Sequence, residues 1–343
     1  MTADALPATV DSTDVLDELL TRPSPRLVEF AGRLTGDVMV LGAGGKIGPT
    51  LVRMARRALD KAESSARVFA VARSGDPSLG LSGVEGICCD LMEPSAVRKL
   101  PRARNVLYLV GRKFGSTGAE HLTWATNTLP ASHCAAALPG SRFVAFSTGC
   151  VYPIMPVDSG GATEQTAPDP VGEYAMSCLG RERIFDFYSR EHGREVLHFR
   201  LNYAVELRYG VLVDLARRVR AGEDVDITTG HVNVIWQADA CERALLCLGL
   251  AQSPAATLNI TGPGTLSVRD LASRLGELMG KPVRFSGAET ERGYLSNAAR
   301  SCELFGPPSV PVDRLLRWTA EWISAGRETL DKPTHFETQD GKY

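Results

Sequence analysis

The sequence predicts an α/β fold in which a doubly wound parallel sheet binds a ligand along one edge. Three observations lead to this prediction. Short apolar segments alternate with helical patterns from Asp37 to Arg200. The first of these segments runs directly into a glycine-rich turn, and polar residues follow several of the later segments. Short buried strands that alternate with helices are typical of parallel sheets. Ligands of such sheets lie at the carboxyl ends of the strands.

Composition and charge narrow the function. The 343-residue chain has 38 Lys and Arg against 40 Asp and Glu, a formal net charge of −2, so we expect neither a nucleic-acid nor a membrane partner. No apolar run is long enough to span a bilayer, and the polar, acidic start of the chain is unlike a signal peptide. The eight cysteines show no metal-ligand spacing, which indicates reduced thiols in a cytoplasmic protein without a metal site.

The glycine-rich turn carries the first chemical signal. It has the form Gly-x-x-Gly-x-x-Gly between the strand Val38–Leu41 and the start of a helix. The first glycine permits the tight turn, the second lets the backbone approach a pyrophosphate, and the third lets the helix pack closely. The helix N-terminus offers free N–H groups and a partial positive charge. Glycine turns also join strands to helices without a ligand. The cofactor-binding residues predicted in this turn are Gly42, Gly45, Lys46, Ile47 and Gly48.

The residues that follow the second and third strands are predicted to contact the adenosine half of a dinucleotide. Arg73 stands where an acidic residue would hold the ribose hydroxyls, and with Lys46 it can accommodate a 2′-phosphate. NADP is therefore favoured and NAD is the second choice. The alternative is that Arg73 is a solvated surface residue. Asp90 and Leu91 follow the third strand and are expected to contact the adenine, the carboxylate by a hydrogen bond and the leucine by packing.

The residues after the fourth and fifth strands point to the reacting end of the crevice. Val110 and Gly111 lead into Lys113, so a cation stands at the edge of the sheet, where an anion would bind or a proton would move. A solvated loop is the alternative. Thr148 ends the fifth strand and directs a hydroxyl into the crevice. The helical patterns Gly118–Leu138 and Glu173–Glu191 carry Asn127 and Tyr174 respectively.

The pattern divides the chain into four parts. Residues 1–35 are an N-terminal extension that packs on the main domain or on a second subunit. Residues 36–200 form a Rossmann-type dinucleotide-binding domain, to which residues 234–260 return. Residues 201–233 and 261–330 form a smaller C-terminal lobe that binds substrate, with amphipathic helices over Leu207–Val219 and Val312–Ile323. Residues 331–343 are a polar tail that is either disordered or reaches a neighbouring subunit.

Together, these motifs resemble those of the extended short-chain dehydrogenase/reductase family, which contains NAD(P)-dependent epimerases and dehydratases of nucleotide sugars. The glycine turn, Asp90-Leu91, Asn127, Thr148 followed by Val151-Tyr152, and Tyr174 stand in the family's order. Val234–Asp239 and Leu258–Gly262 resemble the joins around its smaller domain. The likeness covers about residues 37–325. It implies an oxidoreductase or epimerase that acts on a sugar-like hydroxyl or carbonyl. It also implies a homodimer, formed through the helices that bear Asn127 and Tyr174.

The resemblance implies catalytic roles for Thr148, Tyr174, Lys113 and Asn127. It also implies contacts to the cofactor by Val110, Gly111, Lys113 and Tyr174. The tyrosine transfers a proton and the threonine hydroxyl holds the same substrate oxygen. The family places a lysine four residues after the tyrosine, where this chain has Cys178. Three explanations stay open. Lys113 replaces the missing cation, or Tyr174 acts only as an acid, or the chain is a catalytically silent dinucleotide-binding sensor or scaffold.

Overall fold

The computed structural model describes residues 6–342, which form fifteen strands and eleven helices. In chain order the strands are β1 (Val38–Leu41), β2 (Val68–Ala72), β3 (Val84–Cys88), β4 (Asn105–Tyr108), β5 (Arg142–Thr148), β6 (Met155–Pro156), β7 (Glu195–Leu201), β8 (Ala204–Val205), β9 (Val225–Asp226), β10 (His231–Val232), β11 (Ile235–Trp236), β12 (Ala256–Ile260), β13 (Leu266–Ser267), β14 (Phe285–Ser286) and β15 (Arg292–Gly293). The helices are α1 (Thr13–Thr21), α2 (Pro25–Arg33), α3 (Gly48–Lys61), α4 (Pro94–Val97), α5 (Glu120–Ala137), α6 (Gly172–His192), α7 (Val211–Ala221), α8 (Gln237–Leu246), α9 (Val268–Met279), α10 (Ala299–Phe305) and α11 (Val312–Ser324).

A seven-stranded parallel sheet forms the centre of the molecule. Its strand order is β12-β7-β5-β4-β1-β2-β3, and each neighbouring pair is parallel. The strand order reverses between β1 and β4, which makes the carboxyl edge there the expected ligand site. The predicted Rossmann-type doubly wound sheet is confirmed. All four side chains of β1 are buried, as its continuous apolar sequence predicts.

One local prediction differs from the structure. The helix expected from Leu207 begins at Val211, because Glu206 and Tyr209 form a bridged turn and Gly210 adopts a φ of 129°. Tyr209 therefore precedes the helix instead of lying on one of its faces. The first helix is capped by the Ser12 hydroxyl, which accepts a hydrogen bond from the Val15 N–H at 3.2 Å. Thr13 is the first helical residue.

The N-terminal extension packs on the main body of the same chain. Helices α1 and α2 contact α3 and α8. The Ser24 hydroxyl donates to Glu242 Oε1 on α8 at 2.6 Å, and Trp318 Nε1 on α11 donates to the Ala8 carbonyl at 3.2 Å. These contacts lie away from the carboxyl edge of the sheet. Between residues 6 and 342, no helix has the length and apolar character needed to cross a membrane.

The C-terminal tail packs on its own chain. Helices α7, α9 and α11 pack together in the smaller lobe, and the tail runs over α7. The Thr334 N–H and hydroxyl both donate to Asp214 Oδ2, at 2.8 and 2.6 Å. Phe336 is only 3% exposed, and Arg218 pairs with Glu337 at 3.2 Å. The tail therefore forms part of the smaller lobe.

A buried ion pair fixes α6 on the sheet. Arg200 on β7 donates to both carboxylate oxygens of Glu182 on α6, at 2.9 and 2.7 Å, and both side chains are almost fully buried. Burial alone would raise the pKa of Glu182. The hydrogen bonds from Arg200, together with the electrostatic effect of His198, instead hold that pKa below its ordinary value. The pair sets the position of the helix that carries Tyr174.

We predict that Glu182→Gln lowers the free energy of unfolding by about 3 to 5 kcal/mol, because it leaves the buried Arg200 charge uncompensated. The exposed pair Arg274–Asp313 supplies the control, since Asp313→Asn should cost less than about 1 kcal/mol. Urea unfolding of both variants measures the difference. The carboxylate of Glu182 stabilises the fold at every pH above its unfolded pKa of about 4.3, and the effect of E182Q should shrink as the pH falls below that value. Equal costs for the two variants would contradict the role of the buried pair.

Candidate active site

The glycine turn between β1 and α3 has the geometry of a phosphate cradle. A Cβ atom on Gly48 would lie 2.2 Å from the Ala43 carbonyl oxygen, so only glycine lets α3 start this close to the turn. Gly42 adopts a φ of 90°, which favours glycine. Ile47, the residue before the first turn of α3, makes no side-chain capping hydrogen bond, so the first N–H groups of the helix are left for a ligand. The turn therefore fits the pyrophosphate of a dinucleotide.

A pocket of about 220 Å³ opens beside this cradle at the carboxyl edge of the sheet. Its walls come from the glycine turn, the loop after β4, the end of β5, the first turn of α6, the smaller lobe and the tail. The residues that line the pocket include Lys46, Lys113, Thr148, Cys150, Tyr174 and Tyr203. The structure thus brings together Thr148, Tyr174, Lys113, Lys46 and Ile47, which the sequence predicted as site residues.

Thr148 and Tyr174 form the polar centre of the pocket. The Thr148 hydroxyl and the Tyr174 phenol line the same pocket, and their interaction lowers the pKa of the phenol. Burial is the main cause that raises the pKa of Tyr174 well above its ordinary value, and the neighbouring thiols of Cys178 and Cys150 raise it further. The phenol is therefore protonated at neutral pH, and it can donate a proton or a hydrogen bond to an oxygen held in the pocket.

Cys178 occupies the position one helical turn after Tyr174 and is fully buried. Burial raises the pKa of the thiol, and the neighbouring Tyr174 and Arg181 lower it only in part. Cys178 is therefore neutral and supplies no positive charge to the phenol. Its neighbour Ser177 accepts a hydrogen bond from Asn127 Nδ2 at 2.8 Å.

Two lysines reach the pocket from different loops. Lys113 Nζ donates to the Thr334 carbonyl of the tail at 3.2 Å and lies 5.9 Å from the centre of the Tyr174 ring. Lys46 Nζ lies over the Tyr209 ring, 3.5 Å from its centre. Burial, together with the charge of Lys113, lowers the pKa of Lys46 to about 8. The two cations favour an anionic ligand in this part of the crevice.

Asn127 holds the loop after β4 in place. Its Oδ1 accepts from the Arg112 N–H at 2.7 Å, and its Nδ2 donates to the Arg112 carbonyl at 3.1 Å. Asn127 is fully buried on α5, so it acts on the site through its neighbours. A Cβ atom on Gly111 would lie 3.1 Å from Asn127 Oδ1, which explains why glycine follows Val110 here.

The predicted adenosine contacts lie outside this pocket, farther along the carboxyl edge. Arg73 is exposed immediately after β2. Asp90 is exposed soon after β3 and accepts the Met92 N–H at 2.9 Å, while Leu91 is buried. Their positions follow the edge away from the glycine turn, as the two ends of a dinucleotide would require.

Tyr203 lines the pocket and adopts a φ of 44°, a strained conformation for a residue with a side chain, and its carbonyl accepts the Ile235 N–H. Two features of the site were not assigned from the sequence. The tail contributes Thr334 to the pocket wall. Arg181 is buried on the Tyr174 face of α6, and its seven-residue spacing from Tyr174 was a signal that could have identified it.

Residues 38–231 match the family described as the NAD dependent epimerase/dehydratase family. The chain belongs to this family. The match spans more than half of the sequence and includes the glycine turn, Thr148 and Tyr174. No curated protein sequence matches the chain. Within the part of the chain that the structure describes, no group of three or more His, Cys, Asp or Glu side chains is arranged to hold a metal ion.

Solved structures share the fold over most of the chain. DesIV, a dTDP-glucose 4,6-dehydratase from Streptomyces venezuelae solved with NAD and TYD, is 19% identical with a TM-score of 0.71, over 84% of this chain and 97% of that one. The UDP-glucose 4-epimerase of Thermotoga maritima with UDP-glucose is 19% identical with a TM-score of 0.68, over 84% and 99%. RMD from Pseudomonas aeruginosa with NADPH is 19% identical with a TM-score of 0.68, over 85% and 100%.

We predict that Phe336→Ala releases the tail from the pocket, because the ring is buried and anchors residues that otherwise make isolated polar contacts. Hydrogen exchange should then be faster in residues 333–342, while the central sheet stays protected. Leu330→Ala is the matched control, since Leu330 is 36% exposed at the start of the same segment. Wild-type protection of residues 333–342 in F336A would show that the ring does not hold the tail.

Proposed function

We propose that this protein is an NAD(P)-dependent oxidoreductase or epimerase that acts on a sugar-like hydroxyl or carbonyl. The observation that carries the proposal is that Thr148 and Tyr174 line one pocket at the carboxyl edge of the sheet, beside the glycine cradle. Membership of the NAD dependent epimerase/dehydratase family supports the cofactor. The sugar-like substrate rests on the neighbours that were solved with UDP-glucose and with NAD and TYD.

The residues of the chain perform the orientation and proton transfer in this proposal. The dinucleotide, when bound, supplies the hydride chemistry. Gly42, Gly45 and Gly48 receive its pyrophosphate, and Lys46 and Lys113 offer it positive charge. Thr148 and Tyr174 hold the oxygen borne by the substrate carbon that is oxidised or reduced. Because the pKa of Tyr174 is raised, the phenol is best suited to give its proton to that oxygen. This favours reduction of a carbonyl.

A catalytically silent dinucleotide-binding sensor or scaffold is the second candidate. The observation that favours it is the neutral, buried Cys178 where the family places a lysine. Such a protein would keep the glycine cradle but would show no turnover. Binding without turnover over a broad substrate panel would separate it from the enzyme.

Tyr174→Phe tests the proposed function. We screen sugars and sugar acids with NADPH and with NADH and follow the absorbance of the reduced nicotinamide. On any substrate found, Y174F should lower kcat by at least about 100-fold and leave dinucleotide binding intact, since only the proton donor is removed. Tyr188→Phe on the same helix is the control, because its hydroxyl pairs with Ser132, away from the pocket. Full turnover by Y174F would overturn the catalytic assignment.

We propose that the cofactor is NADP, with NAD as the second choice. Arg73 is exposed after β2, where a cation would meet the 2′-phosphate. Arg73→Glu should weaken NADPH binding at least about 10-fold, since a hydrogen bond to a charged group contributes about 1.5 to 3 kcal/mol. NADH binding should change little. Arg98→Glu, which makes the same change of charge at another exposed position, is the control. Equal losses for both cofactors would argue against this role of Arg73.

We propose that the protein is a homodimer formed through α5 and α6. Exposed large apolar side chains are concentrated on these helices, namely Leu122, Trp124, Leu129, Met176 and Phe187. Phe187 is 53% exposed, and burying such side chains against a second copy is favourable. Sedimentation should give a dimer for the wild type and a monomer for Phe187→Glu combined with Leu129→Glu. A monomeric wild type would rule this interface out.

A further inference from the structure

Arg181 lies on the same face of α6 as Tyr174 and Cys178. It is three residues after Cys178 and seven after Tyr174, so the three side chains follow one another at intervals of about one helical turn. Arg181 is only 5% exposed. A cation is therefore buried one helical turn beyond Cys178.

The contacts of Arg181 place its guanidinium at the end of β4. Its Nη1 donates to the Val110 carbonyl at 2.9 Å. A Cβ atom on Gly111 would lie 3.0 Å from the same nitrogen, so the guanidinium rests against that glycine. Its Nε is buried and has no hydrogen-bond partner among the described residues. The structural hydrogen bond to Val110 therefore uses one part of the group and leaves donor capacity unused.

Among residues 6–342, Arg181 forms no ion pair within bonding distance of a carboxylate. Glu182, its neighbour in sequence, binds Arg200 through both oxygens and acts on Arg181 only through its charge. A buried cation without a directly bonded counter-ion is costly, so a structural role alone would be served better by a neutral side chain. The groups that face the charge are the Cys178 thiol, the phenols of Tyr108 and Tyr174, and the Glu182 carboxylate.

We propose that Arg181 is a positioning residue that supplies the active site with the positive charge absent at Cys178. The inference rests on the proposed proton transfer by Tyr174. When Tyr174 gives its proton to the substrate oxygen, the phenol becomes a phenolate, and the guanidinium stabilises that negative charge through space. Arg181 takes this role in place of Lys113, whose ammonium binds the Thr334 carbonyl of the tail.

The electrostatic surroundings of Tyr174 agree with this role. Burial and the thiols of Cys178 and Cys150 raise the pKa of Tyr174, whereas the charge of Arg181 and the Thr148 hydroxyl lower it. The groups that face Tyr174 from the elements around it are Thr148, Cys150, Cys178, Arg181, Lys113 and Tyr294. Arg181 is the member of this set that combines full burial with a permanent positive charge.

The test places a fluorinated tyrosine, which has a more acidic phenol, at position 174 and follows its ¹⁹F shift against pH. The full-length protein is compared with Arg181→Gln, which keeps a donor for the Val110 carbonyl but removes the charge. Arg181→Lys keeps the charge. Arg243→Gln is the matched control, because Arg243 is equally buried and also bonds a carbonyl, at Gly306, but lies on α8. Thermal unfolding establishes that each variant is folded, and Arg181→Met serves as a second neutral variant if R181Q does not fold.

We expect R181Q to raise the pKa of the probe by at least about one unit, with R181K and R243Q close to the wild type. On a substrate found by the screen, the basic limb of the pH profile of kcat should move in the same direction. A probe pKa that is the same in R181Q and wild type would overturn the proposal. The probe reports without turnover, so absence of activity in the wild type would overturn the proposed function and leave the effect of Arg181 measurable.

Discussion

The buried pair between Glu182 and Arg200 is the constraint on which the geometry of the site depends. It joins α6 to β7, and β7 lies beside β5 in the sheet. The end of β5 carries Thr148, and the first turn of α6 carries Tyr174. One ion pair, removed from water and satisfied through both carboxylate oxygens, therefore sets the distance between the Thr148 and Tyr174 hydroxyl groups that we propose to bind the substrate. Neither hydroxyl is held by a flexible loop.

Three cations approach the proposed site, while the position one turn after Tyr174 holds a neutral thiol, Cys178. Lys46 comes from the glycine turn, Lys113 from the loop after β4, and Arg181 from one turn farther along α6. The tail engages Lys113 through the Thr334 carbonyl, which leaves the deeply buried Arg181 as the cation aligned with Tyr174. We infer that the buried Arg181 supplies the positive charge that the neutral Cys178 does not.

Much of the fold and part of the site could be predicted from the sequence, because they depend on local patterns. The apolar strand, the three glycines and the alternation of later strands with helices were sufficient to predict the sheet, and the family resemblance paired Thr148 with Tyr174. The tail could not be predicted, since its contact from Thr334 to Lys113 joins residues 221 positions apart. The start of α7 was missed although Gly210 marked it. Arg181 was not predicted, because its guanidinium reaches this region through the packing of α6 against Val110, which the sequence pattern does not show.

Hydrogen exchange of the full chain with and without NADPH tests the central claim most directly, namely that this crevice is a dinucleotide site. Bound NADPH should slow exchange in residues 42–51 of the glycine turn and first turns of α3, and in residues 108–114 after β4. The outer helices α9 and α11 should not change. Protection confined to other segments, or none at saturating NADPH, would contradict the account.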